Sequence, residues 1–349
     1  MKKIISLVVI GLLLLTSACS SESDEIGNDN KSSELVASQD NGAYLSVALS
    51  ETGVSTKAST SAFGTDESTI GQGISSCTVI LYDGTSGKIQ SVNDNLAVSN
   101  GEVSTKFYTK VKSGLKIMVV ANAAAAFAGH AQTLAEAQAI VQSVTAFDST
   151  KLVKVGTADV TFPANFGYPS MADAKANPLE VTVPVKQLTA CVRLVAFNVT
   201  YTGKAGDVVI TGVKLNNVNL SEQTGGTEET NFATASTVGT LPTGGMKVYD
   251  GATNAPVALT AFPTFFAFQN TSATATRMTI DFTVAGKAYT KTYTIKHPLD
   301  APYAEKILSG YLYNLTVNMS ATNYKVDLEV VCTVANWVGQ TFTQELEEE

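Results

Sequence analysis

With 349 residues the chain can bury more than one core, and 44% hydrophobic against 15% charged residues mark it as folded, not disordered. A formal net charge of −8 and only two arginines, Arg193 and Arg277, leave no basic patch for phosphate contacts and argue against a nucleic-acid partner. The four cysteines, Cys19, Cys77, Cys191 and Cys332, contain no CxxC pair, which argues against zinc or a redox dithiol. Buried reduced thiols are the default for the last three.

Met1–Ala18 reads as a secretory signal: Lys2 and Lys3, an apolar run from Ile4 to Leu15, then Ser17-Ala18 before Cys19. The run is too short for a membrane-crossing helix. Leu15–Cys19 resembles a bacterial lipobox, with Thr16 where leucine is commonest, and predicts a lipid on Cys19; cleavage beside a chance cysteine is the alternative. Ser20–Gly42 is a polar tether whose acids Glu22, Asp24 and Glu25 resemble a surface-export tag.

Ala43–Lys57 follows. Leu45, Val47 and Leu49 alternate with Tyr44, Ser46 and Ala48, the period of a strand with one buried face. It runs into Lys57, a lone base among small polar residues. An ordinary first strand and a strand cut away after Lys57 are both open on the residues alone. Beyond the Ser/Thr/Gly passage 58–73, Ile74–Tyr82 predicts a strand with Cys77, Val79 and Leu81 on one face. Asp83–Gly87 is hairpin-turn chemistry. Val103–Val111 is a weaker strand, and Leu115–Val120 is apolar throughout, as in a strand buried on both sides, with Asn122 ending it.

Thr133-Leu134-Ala135-Glu136 has the spacing of a capping box, and Leu134, Ala137, Ile140 and Val141 recur at helical intervals, predicting one helix over Thr133–Val141. Asp148–Pro178 reads as irregular. Leu179–Val185 is a strand near a domain boundary. In Cys191–Tyr201 the odd-numbered residues share one face and Val192, Leu194 and Ala196 the other, both largely apolar, as in a central strand. Val208–Leu220 is another strand, and Ser221–Gly245 a polar insertion without a core pattern. Strands resume at Ala261–Gln269, Arg277–Val284, Tyr289–Lys296, Tyr311–Met319 and Lys325–Val334, before a terminal segment bearing Trp337, Val338, Phe342 and Leu346. Many short strands and a single helix argue for an all-β chain of two β-sandwiches.

Catalytic patterns are absent from the sequence. His130 and His297 are the only histidines, no GxSxG elbow occurs, and the carboxylates are scattered. Tyr289, Tyr293, Tyr311 and Tyr313 alternate along strands as packing residues. No catalytic residue, cofactor or metal is assigned, and the expectation is that the protein is not an enzyme.

In these residues the chain resembles a Bacteroidales fimbrillin of the FimA/Mfa type, the lipoprotein pilins of type V pili. The resemblance rests on Leu15–Cys19, Val54–Ala58 after a strand, Cys77–Gly87, Leu115–Asn122, Val183–Arg193, Tyr311–Val317 and Val330–Trp337, in that order and spacing. It implies two transthyretin-like Greek-key sandwich domains, 58–183 with the one short helix and 184–349, after a signal peptide (1–18) and a lipidated propeptide (19–57). It also implies an assembly route: lipidation at Cys19, export to the outer membrane surface, and cleavage between Lys57 and Ala58 by a trypsin- or gingipain-like protease. The strand bearing Tyr44, Leu45, Val47 and Leu49 would leave, and a neighbour's C-terminal segment near 334–346, with Trp337, Val338, Phe342 and Leu346, would fill its groove. The implied partners are other copies joined head to tail, the membrane through the lipid, the protease, and host or bacterial surface receptors. The implied role is a pilus subunit, a stalk fimbrillin above all, supporting adhesion. A tip or anchor subunit, or a glycan-binding surface lipoprotein that keeps its first strand, are the alternatives, with a secreted hydrolase well behind.

Overall fold

Residues apolar on both faces of a strand dictate the middle of a sheet, and two such strands organise the first half of the chain. β2 (Ser76–Asp83) and β6 (Leu115–Ala121) pair antiparallel, with Cys77 opposite Ala121 and Leu81 opposite Ile117. Cys77, Val79, Leu81, Ile117 and Val119 enter one core, while Ile80, Tyr82, Met118 and Val120 enter a second. The computed structural model describes residues 42–51, 73–143, 152–164, 166, 168, 170–203, 206–226, 232–235, 241–259, 262–297, 304–322, 325–336 and 341–346.

β2 turns into β3 (Ile89–Ser99) as expected: Asp83 Oδ1 accepts the backbone N–H of Thr85 (3.1 Å) and of Ser86 (2.8 Å). Lys112, donating to Asp83 at 2.9 Å, and these turn donors hold the Asp83 carboxyl well below the usual carboxylate range. Asn122 ends β6 with a left-handed backbone (φ 53°), and its side chain ties the strand end to Gly73, Ser75 and Leu152. The weak strand expected over Val103–Val111 divides into β4 (Glu102–Val103) and β5 (Phe107–Lys110).

The helix signal proves correct in kind. α1 (Leu134–Ala139) starts at a reciprocal capping box between Thr133 and Glu136, but Val141 lies 44% exposed and opens β7 (Val141–Ser143). The single-helix expectation is corrected: a second helix, α2 (Met171–Ala176), is capped by Ser170, whose Oγ accepts the Asp173 N–H at 3.1 Å. The stretch read as irregular also holds β8 (Lys154–Asp159), followed by β9 (Leu179–Gln187). β8 pairs antiparallel with β9 and lies so close to it that a Cβ on Gly156 would stand 2.1 Å from the Pro184 carbonyl oxygen, which is why a glycine interrupts that strand. With β1 (Gly42–Glu51), these strands form one eight-stranded sheet in the order β4-β3-β2-β6-β8-β9-β1-β5.

From Ala190 onward two further sheets face one another. β10 (Ala190–Thr202), β16 (Thr264–Ala267), β19 (Tyr311–Thr322), β20 (Val326–Asn336) and β21 (Thr341–Leu346) make one, in the order β16-β10-β19-β20-β21. β11 (Val208–Asn219), β13 (Phe232–Ala235), β14 (Met246–Asp250), β15 (Ala255–Pro256), β17 (Arg277–Val284) and β18 (Lys287–Thr294) make the other. Leu194, Phe197 and Tyr313 from the first meet Val208, Ile280 and Phe282 from the second in a single apolar core. β10 is internal to its sheet, but its odd-numbered residues do not keep one face. The register moves from Leu194↔Leu315 to Ala196↔Thr316, so Val195 is an extra residue, and Val192, Leu194 and Phe197 reach the same core.

Ser221–Gly245 also differs from the loop expected. It opens with β12 (Ser221–Gln223), which pairs with β7, and Ser221, Glu222 and Thr224 are buried. Cys77, Cys191 and Cys332 are buried, and burial pushes the thiols of Cys77 and Cys332 up to about 12.

Candidate functional site

The eight-stranded sheet closes on β1. This strand runs parallel to β9, with Leu45 opposite Leu179, Val47 opposite Val181 and Leu49 opposite Val183. On its other side it is antiparallel to β5, with Tyr44 opposite Tyr108 and Leu45 opposite Phe107, and Ala48 lies opposite Glu102 of β4. Because β4 connects through β3, β2, β6 and β8 back to β9, β1 completes a ring of hydrogen-bonded strands. Among the described residues no other strand joins β9 to β4 or β5.

The alternation read in the sequence matches the burial. Ala43, Leu45 and Val47 are fully buried, Leu45 and Val47 pack with Val103, Phe107, Val181 and Val183, and Leu49 lies partly buried against the same core. The opposite face of β1 meets residues that no sequence pattern marked. Tyr44 sits edge-on to Tyr108 (5.6 Å between centroids), and Lys175 Nζ of α2 lies 5.9 Å from the Tyr44 ring centroid. Lys106 Nζ donates to the Lys175 carbonyl at 2.9 Å, which ties the end of α2 to the chain just before β5. At Gly42 the Tyr108 side chain fills the space of a side chain, since a Cβ there would come within 2.3 Å of its hydroxyl oxygen. Tyr108 and Lys175 lie about 60 and 130 positions from β1, and only the fold brings them to it.

The other end of the expected exchange is β21, antiparallel to β20 at the end of the five-stranded sheet, with Phe342 opposite Val334 and Leu346 opposite Val330. β21 holds one partner strand, so its outer row of N–H and C=O groups forms an edge among the described residues. Cys19, Lys57, Ala58, Trp337 and Val338 lie outside the described residues. β1 and β21 belong to different sheets and do not pair with one another.

The remaining candidates are structural. His297 is buried, edge-on to Tyr311 at 4.6 Å and to Tyr313 at 5.9 Å, and burial lowers its pKa. Tyr293 and Tyr313 are buried in the core, with Tyr289 and Tyr311 packed against it. Among the described residues no three His, Cys, Asp or Glu side chains are grouped to hold a metal.

No family model matches the sequence, and no curated protein matches it. Solved structures do. A candidate cell adhesion protein from Parabacteroides distasonis superposes with a TM-score of 0.53 at 18% identity, covering 82% of this chain and 96% of its own. One from Bacteroides eggerthii gives 0.53 at 17% identity, covering 85% and 96%. A fimbrilin (FimA) from Porphyromonas gingivalis gives 0.51 at 14% identity, covering 85% and 98%. The likeness spans nearly the whole of each of these structures, and on it the chain has the fold of a FimA-type fimbrillin.

Proposed function

We propose that the protein is a structural subunit of a surface pilus that supports adhesion, built as two transthyretin-like Greek-key sandwich domains. In this reading the precursor carries a lipid on Cys19, is displayed at the outer membrane, and is cut after Lys57. Cleavage separates residues 19–57, β1 included, from the body, and the strand of a neighbouring subunit takes the place that β1 leaves.

One observation supports this reading above the others: β1 is the closing strand of its sheet, and it precedes the expected cut. Its departure would unpair the facing backbone of β9 on one side and of β4 and β5 on the other, and would vacate the buried places of Leu45 and Val47. Unpaired backbone groups and an apolar trough together favour insertion of another strand. Each large apolar side chain buried there contributes about 1.5–3 kcal/mol. A strand passed from one subunit into the groove of the next is a head-to-tail contact that does not close on itself, so subunits joined in this way, like or unlike, extend a filament. The fimbrilin and adhesion neighbours agree with such a role. N-terminal sequencing of protein taken from surface fibres tests it. The expected first residue is Ala58; fibres whose subunits retain residues 44–56 would overturn the reading.

A further inference from the structure

A strand that replaces β1 must reproduce what β1 buries. Because side chains alternate along a strand, the replacement must offer three apolar side chains of about the size of Leu45, Val47 and Leu49 on every second residue, with a small one ahead of them at the place of Ala43. The C-terminal segment of this chain cannot do so. Its even-numbered residues interleave Val334, Val338, Phe342 and Leu346 with Asn336, Gln340 and Gln344, so any three in succession, in either chain direction, include a carboxamide. Its odd-numbered residues hold one run of three without a polar group, Ala335-Trp337-Gly339, which loads the middle place with an indole and leaves the outer two nearly empty. The best-matched register sets Gly339 at Gly42, Phe342 at Leu45 and Leu346 at Leu49. It still buries Gln340 at the place of Ala43 and Gln344 at that of Val47, both fully buried. The core facing Val47 is built of apolar side chains such as Val103, Val181 and Val183, which offer a carboxamide no hydrogen bond.

From this mismatch we infer that the groove vacated by β1 takes its strand from a different polypeptide, one that presents three Leu- or Val-sized side chains on alternate residues, and not from a second copy of this chain. The inference rests on the strand-replacement reading and names the partner for it: a heterologous subunit, with this chain at a junction between unlike subunits.

The test uses the full chain cleaved after Lys57 with the β1 fragment still bound, and measures release of that fragment by synthetic peptides in excess. Three peptides are compared: residues 42–51, residues 334–349, and residues 334–349 carrying Gln340→Ala and Gln344→Val. The first and third are expected to displace the fragment at concentrations at least about tenfold lower than the natural C-terminal peptide, the factor expected for one buried, unpaired carboxamide. Displacement by the natural peptide within tenfold of the doubly substituted one overturns the inference and leaves strand replacement standing. Failure of all three, residues 42–51 included, overturns strand replacement itself and the inference with it. In the whole cleaved protein, Gln340→Ala/Gln344→Val is expected to form SDS-resistant ladders that the unaltered chain does not form alone. Equal laddering by both overturns the inference.

Discussion

His297 has a neutral role to keep. It follows β18 and is buried against the edges of Tyr311 and Tyr313, with its backbone N–H donated to the Ala304 carbonyl at 2.9 Å. Burial disfavours the charged ring, so its folded pKa lies below the ordinary 6.5. As pH falls below that value the unfolded chain takes up a proton that the folded chain resists, and stability is lost with a limiting slope of about 1.4 kcal/mol per pH unit. The urea midpoint is therefore expected to drop as the pH falls below roughly 6.5, and His297→Phe, whose ring cannot titrate, is expected to flatten that drop. The sequence showed only a histidine before a proline. Its burial depends on Tyr311 and Tyr313, 14 and 16 positions onward, and no local pattern announces that contact. Gly156 is a similar case, since its need for a bare Cα comes from the close approach of the Pro184 backbone on the neighbouring strand.

At the scale of elements, what was legible follows from how one-sided each strand is. β1, β2, β6 and β17 alternate or run apolar, and the sequence located them to within a few residues. β3 was implied by the hairpin turn before it but not located, because its exposed and half-buried residues carry no apolar period, and β8 was missed because it is six residues long with Gly156 inside it. β12 was read as loop because it buries Ser221 and Glu222, polar residues that only a tertiary setting can accept. In the candidate site, the inward face of β1 was visible in its alternation. That β1 closes a ring was not, because its partner β9 lies more than 120 residues away along the chain. A discriminating consequence follows from that closure. Leu45→Ala removes a fully buried side chain and is expected to destabilise the uncut protein by about 2–5 kcal/mol, read as a lower urea midpoint at unchanged slope. If β1 departs on maturation, fibres assembled from the variant should match unaltered fibres in stability, since Leu45 is no longer in them. A fibre weakened to the same extent as the precursor would mean that β1 stays.

At the scale of the whole molecule, the described residues from Gly42 onward form one compact unit, although among them no sheet built before Gln187 shares a strand with those built after it, apart from the β7–β12 ladder. The joining is done by side chains that cross over. Phe268, one residue past β16, is fully buried with Ile80, Met118, Val120 and Phe127, on the outer face of β2 and β6. Leu152, just ahead of β8, packs with Cys191, Phe266 and Leu312 of the five-stranded sheet. Around these pegs, Ser309 Oγ donates to the Leu188 carbonyl at 2.6 Å, the Gly310 N–H to the Thr189 carbonyl at 2.9 Å, and Gln142 Nε2 to Thr224 Oγ1 at 3.1 Å. Under the proposed pilus role such a joint would carry tension from one neighbour to the next, because a loose hinge would yield before the strands part. The joint predicts that the unaltered protein unfolds in one calorimetric transition, with intrinsic fluorescence and far-UV signals coincident. Phe268→Ala empties a site in the first core while removing a contact owned by the second, at a cost of about 3–5 kcal/mol. The expected result is a transition that broadens or divides in two, with the half containing β2 and β6 melting first. A single, equally sharp transition at lower temperature would show that the two halves are coupled through the β7–β12 ladder and the hydrogen bonds around it, and that the phenylalanine only fills space.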